Sequence, residues 1–258
     1  MKKTWILINT GISSPEWNMA VDEVLLYSLR EDNLPIFRIY RWEPSLSFGR
    51  FSKVNKSINL NHLLKRRAPY VRRPSGGGIL VHGGDISYSI IMPRKLLDTR
   101  GVKENYHYLS QFLINFYKKL SLMATFASKI NLNIQNSNIC LAGNEAYDIV
   151  IDGKKIGGNA QRYIKSTLLQ HGSIPISFNK NYFEDFFLGD SGFDNAVSLQ
   201  ELGVDLDYDA LIGLLIESFC ETFDVKFISN ALELSQERDA KKLLQEKYTQ
   251  EVWNIYGK

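Results

Sequence analysis

A thiol and an ammonium fifteen positions apart, Cys140 and Lys155, carry the strongest chemical suggestion in this sequence. Cys140 lies in Asn138-Ile139-Cys140-Leu141-Ala142-Gly143, a polar and small-residue stretch that reads as an accessible loop before a strand. The nucleophilic form of cysteine is the thiolate, which needs access and a nearby positive charge to form at neutral pH. Lys155 is the obvious source of that charge, although most unpaired cysteines are inert core residues. Lys155 also opens the run Lys155-Ile156-Gly157-Gly158-Asn159-Ala160-Gln161, where two glycines let a ligand approach the backbone closely. Taken alone, a lysine after an Asp-Gly turn is usually just solvated.

A second candidate site is Arg72-Arg73-Pro74-Ser75-Gly76-Gly77-Gly78, between two strand-like segments. It sets guanidinium donors beside backbone with no side chains in the way, which suits a phosphate, a carboxylate or the carbonyl end of an acyl group. The competing reading is a glycine-rich bulge with two solvated arginines. His82 follows at the end of the next segment, where an imidazole orients a group or accepts a proton; a satisfied sheet-end histidine is the plainer reading. His171 and Ser173, in Gln170-His171-Gly172-Ser173, lack a G-x-S-x-G elbow, so His171 is read as a sheet or pocket-lining residue. Cys220 sits in an apolar helical run and reads as core. The basic residues Lys65, Arg66 and Arg67, with Lys53 and Lys56, read as a solvated face that could also dock an acidic carrier.

Several elements must position these groups. Trp5 to Asn9 predicts a strand; Ser14-Pro15-Glu16 predicts a capped helix start, and the helix runs through Leu29. Ile36 to Trp42 is a strand between two prolines, with Arg38 and Arg41 on opposite faces. Tyr70-Arg73, Gly78-His82 and Asp85-Ile91 predict three strands, the last two joined in a hairpin by Gly83-Gly84. Val102 to Leu122 has helical periodicity, and Tyr147-Ile151, Asp152-Gly153 and Lys154-Gln161 predict a second hairpin, with Thr167 to Ile176 as the next strand. From Tyr208 the pattern is helical apart from a short strand at Val225-Phe227, ending in a charged helix around Glu237 to Lys247. Hairpins flanked by helices predict an α+β class, in one domain over 1–258 whose last part, about 204–258, is mainly helical.

Composition narrows the function. The chain has 44% hydrophobic and 23% charged residues and a net charge of +3, the profile of an ordinary globule with no nucleic-acid or membrane-surface footprint. No apolar run has the length of a signal-peptide core or a membrane span, so the cytoplasm is expected. Two cysteines eighty positions apart are no disulfide framework, and no metal site is expected.

In order along the chain, these motifs resemble the biotin and lipoate protein ligase family. Asn18-Met19-Ala20-Val21-Asp22-Glu23 is similar to its first-helix motif and Trp42-Glu43-Pro44-Ser45-Leu46-Ser47-Phe48-Gly49 to its next; then come Arg72 to Gly78 with His82, Lys155 to Gln161, and Tyr248-Thr249-Gln250-Glu251-Val252-Trp253-Asn254. Ser75 stands where threonine is usual and keeps the hydroxyl. The resemblance implies a largely antiparallel mixed sheet flanked by helices, the class II synthetase-like catalytic fold. Within the family it points to cysteine-dependent octanoyltransferases of lipoate assembly, with Cys140 and Lys155 as the catalytic pair. It implies substrate binding by Arg72, Arg73, Ser75, Gly76, Gly77, Gly78, His82, Gly157, Gly158, Asn159 and Ala160. The implied donor is an octanoyl-acyl carrier protein and the acceptor a lipoyl-domain protein, of the glycine cleavage H protein or 2-oxoacid dehydrogenase E2 type, with a monomeric enzyme and no cofactor. The alternative is a lipoate-protein ligase using ATP and Mg2+ through a lipoyl-adenylate. Such ligases tend to carry Asn-Asp where this chain has Tyr147-Asp148, and commonly an accessory C-terminal domain. A carrier-binding protein without activity on the same fold is the third reading.

Overall fold

A computed structural model describes residues 2–97, 101–130 and 147–258. Strand β1 (Lys3–Ser13) leads into helix α1 (Pro15–Ser28), where the Ser14 side chain accepts from the Trp17 N–H and Pro15 occupies the first turn. This is the start the sequence predicts, satisfying one of the otherwise orphaned first-turn donors. Next come β2 (Ile36–Trp42), β3 (Ser45–Phe48), α2 (Leu60–Lys65), β4 (Tyr70–Arg72), β5 (Ile79–His82) and β6 (Asp85–Pro93). Helices α3 (Val102–Leu109) and α4 (Gln111–Lys119) precede the short strands β7 (Thr125–Phe126), β8 (Ile149–Ile151) and β9 (Lys154–Lys155). The chain ends with β10 (Gly158–Tyr163), β11 (Thr167–Pro175), α5 (Lys180–Phe183), α6 (Tyr208–Phe223), β12 (Val225–Ser229), α7 (Leu234–Leu243), a π-helical turn over Leu244–Tyr248, and α8 (Glu251–Asn254).

The main sheet runs β10-β11-β6-β2-β1-β12. Pairing is antiparallel from β10 through β2, while β1 joins β2 and β12 in parallel. One face packs on α4 and α6 through Phe37, Phe112, Phe116, Leu215 and Phe219; the other packs on α1 and α7 through Met19, Leu25, Tyr40 and Ala240. A small sheet, β4-β3-β5, has its own core around Leu46, Phe48, Leu63 and Phe186. The class is α+β with a largely antiparallel sheet, as the hairpin-rich sequence predicts.

Three local expectations are corrected. Gly83-Gly84 joins no hairpin: β5 pairs with β3 in the small sheet, whereas β6 pairs with β2 and β11 in the main one. Gly83 has φ of 113°, and a Cβ there would lie 2.7 Å from the Pro44 Cα, so the glycine serves a tight crossing between sheets. The return strand of the second hairpin breaks at Gly157, whose φ is 83° and whose Cβ would lie 2.0 Å from the Ser173 carbonyl oxygen; β10 then pairs with β11. The single helix expected over 102–122 divides at Ser110, a buried residue whose hydroxyl accepts from Gln170 Nε2.

Candidate active site

The sheet registers assemble the site. Tyr40, Ser87, Ser173 and Gly158 face one another across β2, β6, β11 and β10. The next row on the same face is Arg38, Ser89, His171 and Ala160. Because side chains alternate along a strand, these rows share one side of the sheet. Glycine, alanine and serine at most of these positions leave a trench between the main sheet and the small one. An open cleft with about 360 Å³ of empty space, adjoining solvent included, occupies it, lined from below by Ser87, Gly158, Ala160 and Ser173, at the end by Tyr40 and Trp42, and from the small sheet by Arg73, Gly77, Leu80 and His82.

Two buried polar arrays hold its walls. Asp22 of α1 accepts from Arg38 Nη1 at 2.7 Å, Ser89 Oγ at 2.7 Å and the Tyr40 hydroxyl at 3.1 Å, and lies 3.2 Å from His171 Nδ1. Burial opposes its charge, but Arg38 and the contacts with His171 and Ser89 more than offset this and hold the carboxyl below its usual range. Burial lowers His171, favouring the neutral ring. A neutral imidazole donating Nδ1–H to Asp22 accepts at Nε2, where Ser75 Oγ stands 2.5 Å away. The second array centres on Asp85, which lies 3.0 Å from His82 Nδ1 and accepts from Ser87 and Ser173 and from the Gly83 N–H. Burial again works against its charge and is outweighed by these partners, so Asp85 too sits low. His82 Nε2 is 2.7 Å from Ser47 Oγ, and its ring stacks on Trp42 at 4.0 Å.

Lys155 is 3% exposed, and its ammonium donates to Asp148 Oδ2 at 2.6 Å. Asp148, absent from the sequence reading as a site residue, is equally buried at 4%. A signal for it exists: Val150 pairs with Lys155, which places Asp148 diagonally on the same face of the hairpin. Lys155 does not line the cavity itself; it lies three residues before Gly158, on the stretch that leads onto its floor. Cys140 falls outside the described residues.

Of the proposed binding residues, Arg73, Gly77, His82, Gly158, Asn159 and Ala160 converge on the cavity, and Gly157 lines an adjoining one beneath Pro44. Ser75 is buried behind His171; Gly76 and Gly78 contribute carbonyls that accept from Arg73 Nη2. Arg72 departs from expectation. Its guanidinium donates to the carbonyls of Gly49, Arg50, Ser52, Trp253, Asn254 and Ile255, so its donors are committed within the protein. Asp22, Arg38 and Asp85 were not foreseen as parts of the site, whereas His171 lines it as expected. Cys220 packs half-buried against the core on α6, and burial pushes its thiol up, as the core reading requires. Lys53, Lys56, Lys65, Arg66 and Arg67 are all exposed. Among the described residues no helix is long and apolar enough to cross a membrane.

Comparison with known proteins gives a consistent picture. The model of the lipoyl protein ligase A/B catalytic domain matches residues 14–220. The chain is 34% identical to the octanoyltransferase LipM of Bacillus anthracis, the match covering 98% of each protein. It is 32% identical to the octanoyltransferase LipM of Bacillus subtilis, again over 98% of each. Among solved structures, a lipoate-protein ligase A bound with ATP has a similar backbone, with a TM-score of 0.82 and 23% identity over 99% of each chain. Protein Ta0514 of T. acidophilum with bound lipoic acid gives 0.83 at the same identity and coverage. These two likenesses establish the shared fold.

Proposed function

The chain belongs to the lipoyl protein ligase A/B catalytic-domain family, and from that premise we propose that it is an octanoyltransferase of protein lipoylation acting through Cys140 and Lys155. The observation that carries this reading is the buried Lys155–Asp148 pair at the head of the stretch leading into the trench. An ammonium this deeply buried keeps its charge only with a paired anion, and Asp148 supplies one. An ammonium is a multiple donor, so holding a carboxylate does not by itself prevent it from stabilising a thiolate or a developing oxyanion nearby.

In the first half-reaction the Cys140 thiolate attacks the thioester carbonyl of an octanoyl-acyl carrier protein. The new carbon–sulfur bond forms, the carrier's carbon–sulfur bond breaks, and the carrier leaves as a thiol after taking a proton. Lys155 favours the thiolate and donates to the oxygen as negative charge grows there. In the second half-reaction the neutral ε-amine of a lipoyl-domain lysine attacks the acyl-enzyme. An amide forms, the Cys140 thiolate departs, and the amine proton passes to solvent or to the returning thiolate. Thioester energy is retained throughout, so ATP is not required. The trench, with its small residues below and Leu80, Tyr40 and Trp42 around it, suits an acyl tail.

Intact mass after mixing with octanoyl carrier protein tests this. The protein should gain one octanoyl group without ATP, and Cys140→Ser should gain none. An equal gain in the variant, or acylation that appears only with ATP and free acid, overturns the cysteine mechanism.

A further inference from the structure

The guanidinium of Arg72 ties two distant segments together. On one side it donates to the carbonyls of Trp253, Asn254 and Ile255; on the other to those of Gly49, Arg50 and Ser52. The same junction is closed by backbone contacts: the Arg72 N–H donates to Asn254 Oδ1 at 2.9 Å, and Trp253 Nε1 donates to the Arg72 carbonyl at 2.9 Å. Asn254 Nδ2 in turn donates to the Tyr248 carbonyl at 2.6 Å, while Lys247 and Tyr248 both donate to Glu23 of α1. The chain's end is thus anchored to the helix that supplies Asp22.

The segment on the far side of Arg72 braces the glycine run. The Gly49 N–H donates to the Gly78 carbonyl, the Arg50 N–H to that of Ser75, and Ser52 Oγ to that of Gly77. Gly77 and the adjacent Arg73 line the cavity. A continuous set of hydrogen bonds therefore leads from residues 253–255 through Arg72 and residues 49–52 to the wall that a substrate would touch. A run of three glycines has little side-chain packing of its own to fix it, so its geometry has to come from such partners.

We propose that Trp253, Asn254 and Arg72 are positioning residues that hold the glycine run in its ligand-binding shape. Arginine suits the task because its planar head carries five donors spread over two edges, whereas a lysine ammonium concentrates three at one point. The kinetic part of the test rests on the octanoyltransferase reading; the exchange part does not.

The test uses the full chain with Asn254→Ala, which removes one acceptor and one donor, and Asn254→Asp, which keeps the acceptor for the Arg72 N–H. Hydrogen exchange should speed up at least about tenfold at the Gly49 and Arg50 amides in Asn254→Ala, with β2 and β6 unchanged. The KM for octanoyl carrier protein should rise about tenfold with kcat within about twofold, and Asn254→Asp should restore most of it. Unchanged exchange at Gly49 and Arg50 overturns the proposal. So does an equal acceleration across β2 and β6, which would make the C-terminus a general stabiliser. Were the unaltered protein to transfer no octanoyl group, the octanoyltransferase reading would fail while the exchange result still decided this one.

Discussion

Replacing Asp148 by Asn leaves the buried Lys155 ammonium without its carboxylate, at a site where the two groups are 3% and 5% exposed and 2.6 Å apart. Removing one partner of a buried ion pair costs about 3–5 kcal/mol, because the survivor keeps its desolvation penalty and loses the opposing charge. For a chain of this length each kcal/mol moves the melting temperature by roughly 2–4 °C, so a fall of about 6–20 °C is expected. The informative assay is a double-mutant cycle with Lys155→Met, followed by urea unfolding at pH 7. If the penalty belongs to the loss of the opposing charge, Lys155→Met introduced into Asp148→Asn should recover at least about 2 kcal/mol, giving a large coupling between the two sites. Lys155→Met alone should abolish most transfer, on the order of 100-fold or more if the ammonium stabilises the developing oxyanion. Additive destabilisation in the double variant would refute the reasoning, since the carboxylate would then have been contributing something other than charge balance.

Two further outcomes follow from the same geometry. His171 is held in its neutral form by burial, so its folded-state proton affinity lies below that of the unfolded chain; the stability this provides is complete above about pH 6.5 and declines as pH falls, by at most about 1.4 kcal/mol per pH unit. Unfolding free energies at pH 7 and pH 5 should therefore differ less in His171→Asn than in the parent protein, and an equal difference would remove His171 from the account. Ala160→Phe places a ring in the trench beside His171; overpacking of about 1–3 kcal/mol should raise KM for an octanoyl donor by about 5- to 150-fold while affecting an acetyl donor much less, and equal effects on both donors would place the acyl chain elsewhere.

Local patterns were legible where the cause was local. The strand Ile36–Trp42 matches residue for residue because its branched and aromatic residues lie between two prolines, and the Ser14-Pro15 start of α1 is a short-range device. The Asp152-Gly153 turn was readable for the same reason, since both residues adopt the positive φ that such a turn demands. Gly83-Gly84 has the same appearance in one dimension, but its flanking strands choose partners in different sheets, and nothing in the dipeptide records that choice. Strand β3 was visible only as part of a motif, since four residues between Pro44 and Gly49 show too little alternation to stand alone.

The site divides along the same line. Glycines that permit close approach to the backbone could be recognised from type, and Gly77 and Gly158 do border the cavity, as does Ala160, which only the family resemblance implied. What could not be recognised is where a donor's acceptor comes from. Arg72 and Arg73 are adjacent and chemically identical, yet one donates to carbonyls 181 to 183 positions away while the other lines the trench and donates to Ser47, Gly76 and Gly78 in its wall. Asp22 likewise meets His171 across 149 positions. A buried charge must find compensation somewhere, and strand registers and helix placements determine where. In this chain the apolar packing of the sheet on its helices fixes those placements, so the polar groups at the site are arranged largely by core residues such as Met19, Leu25 and Ala240 that do not line it.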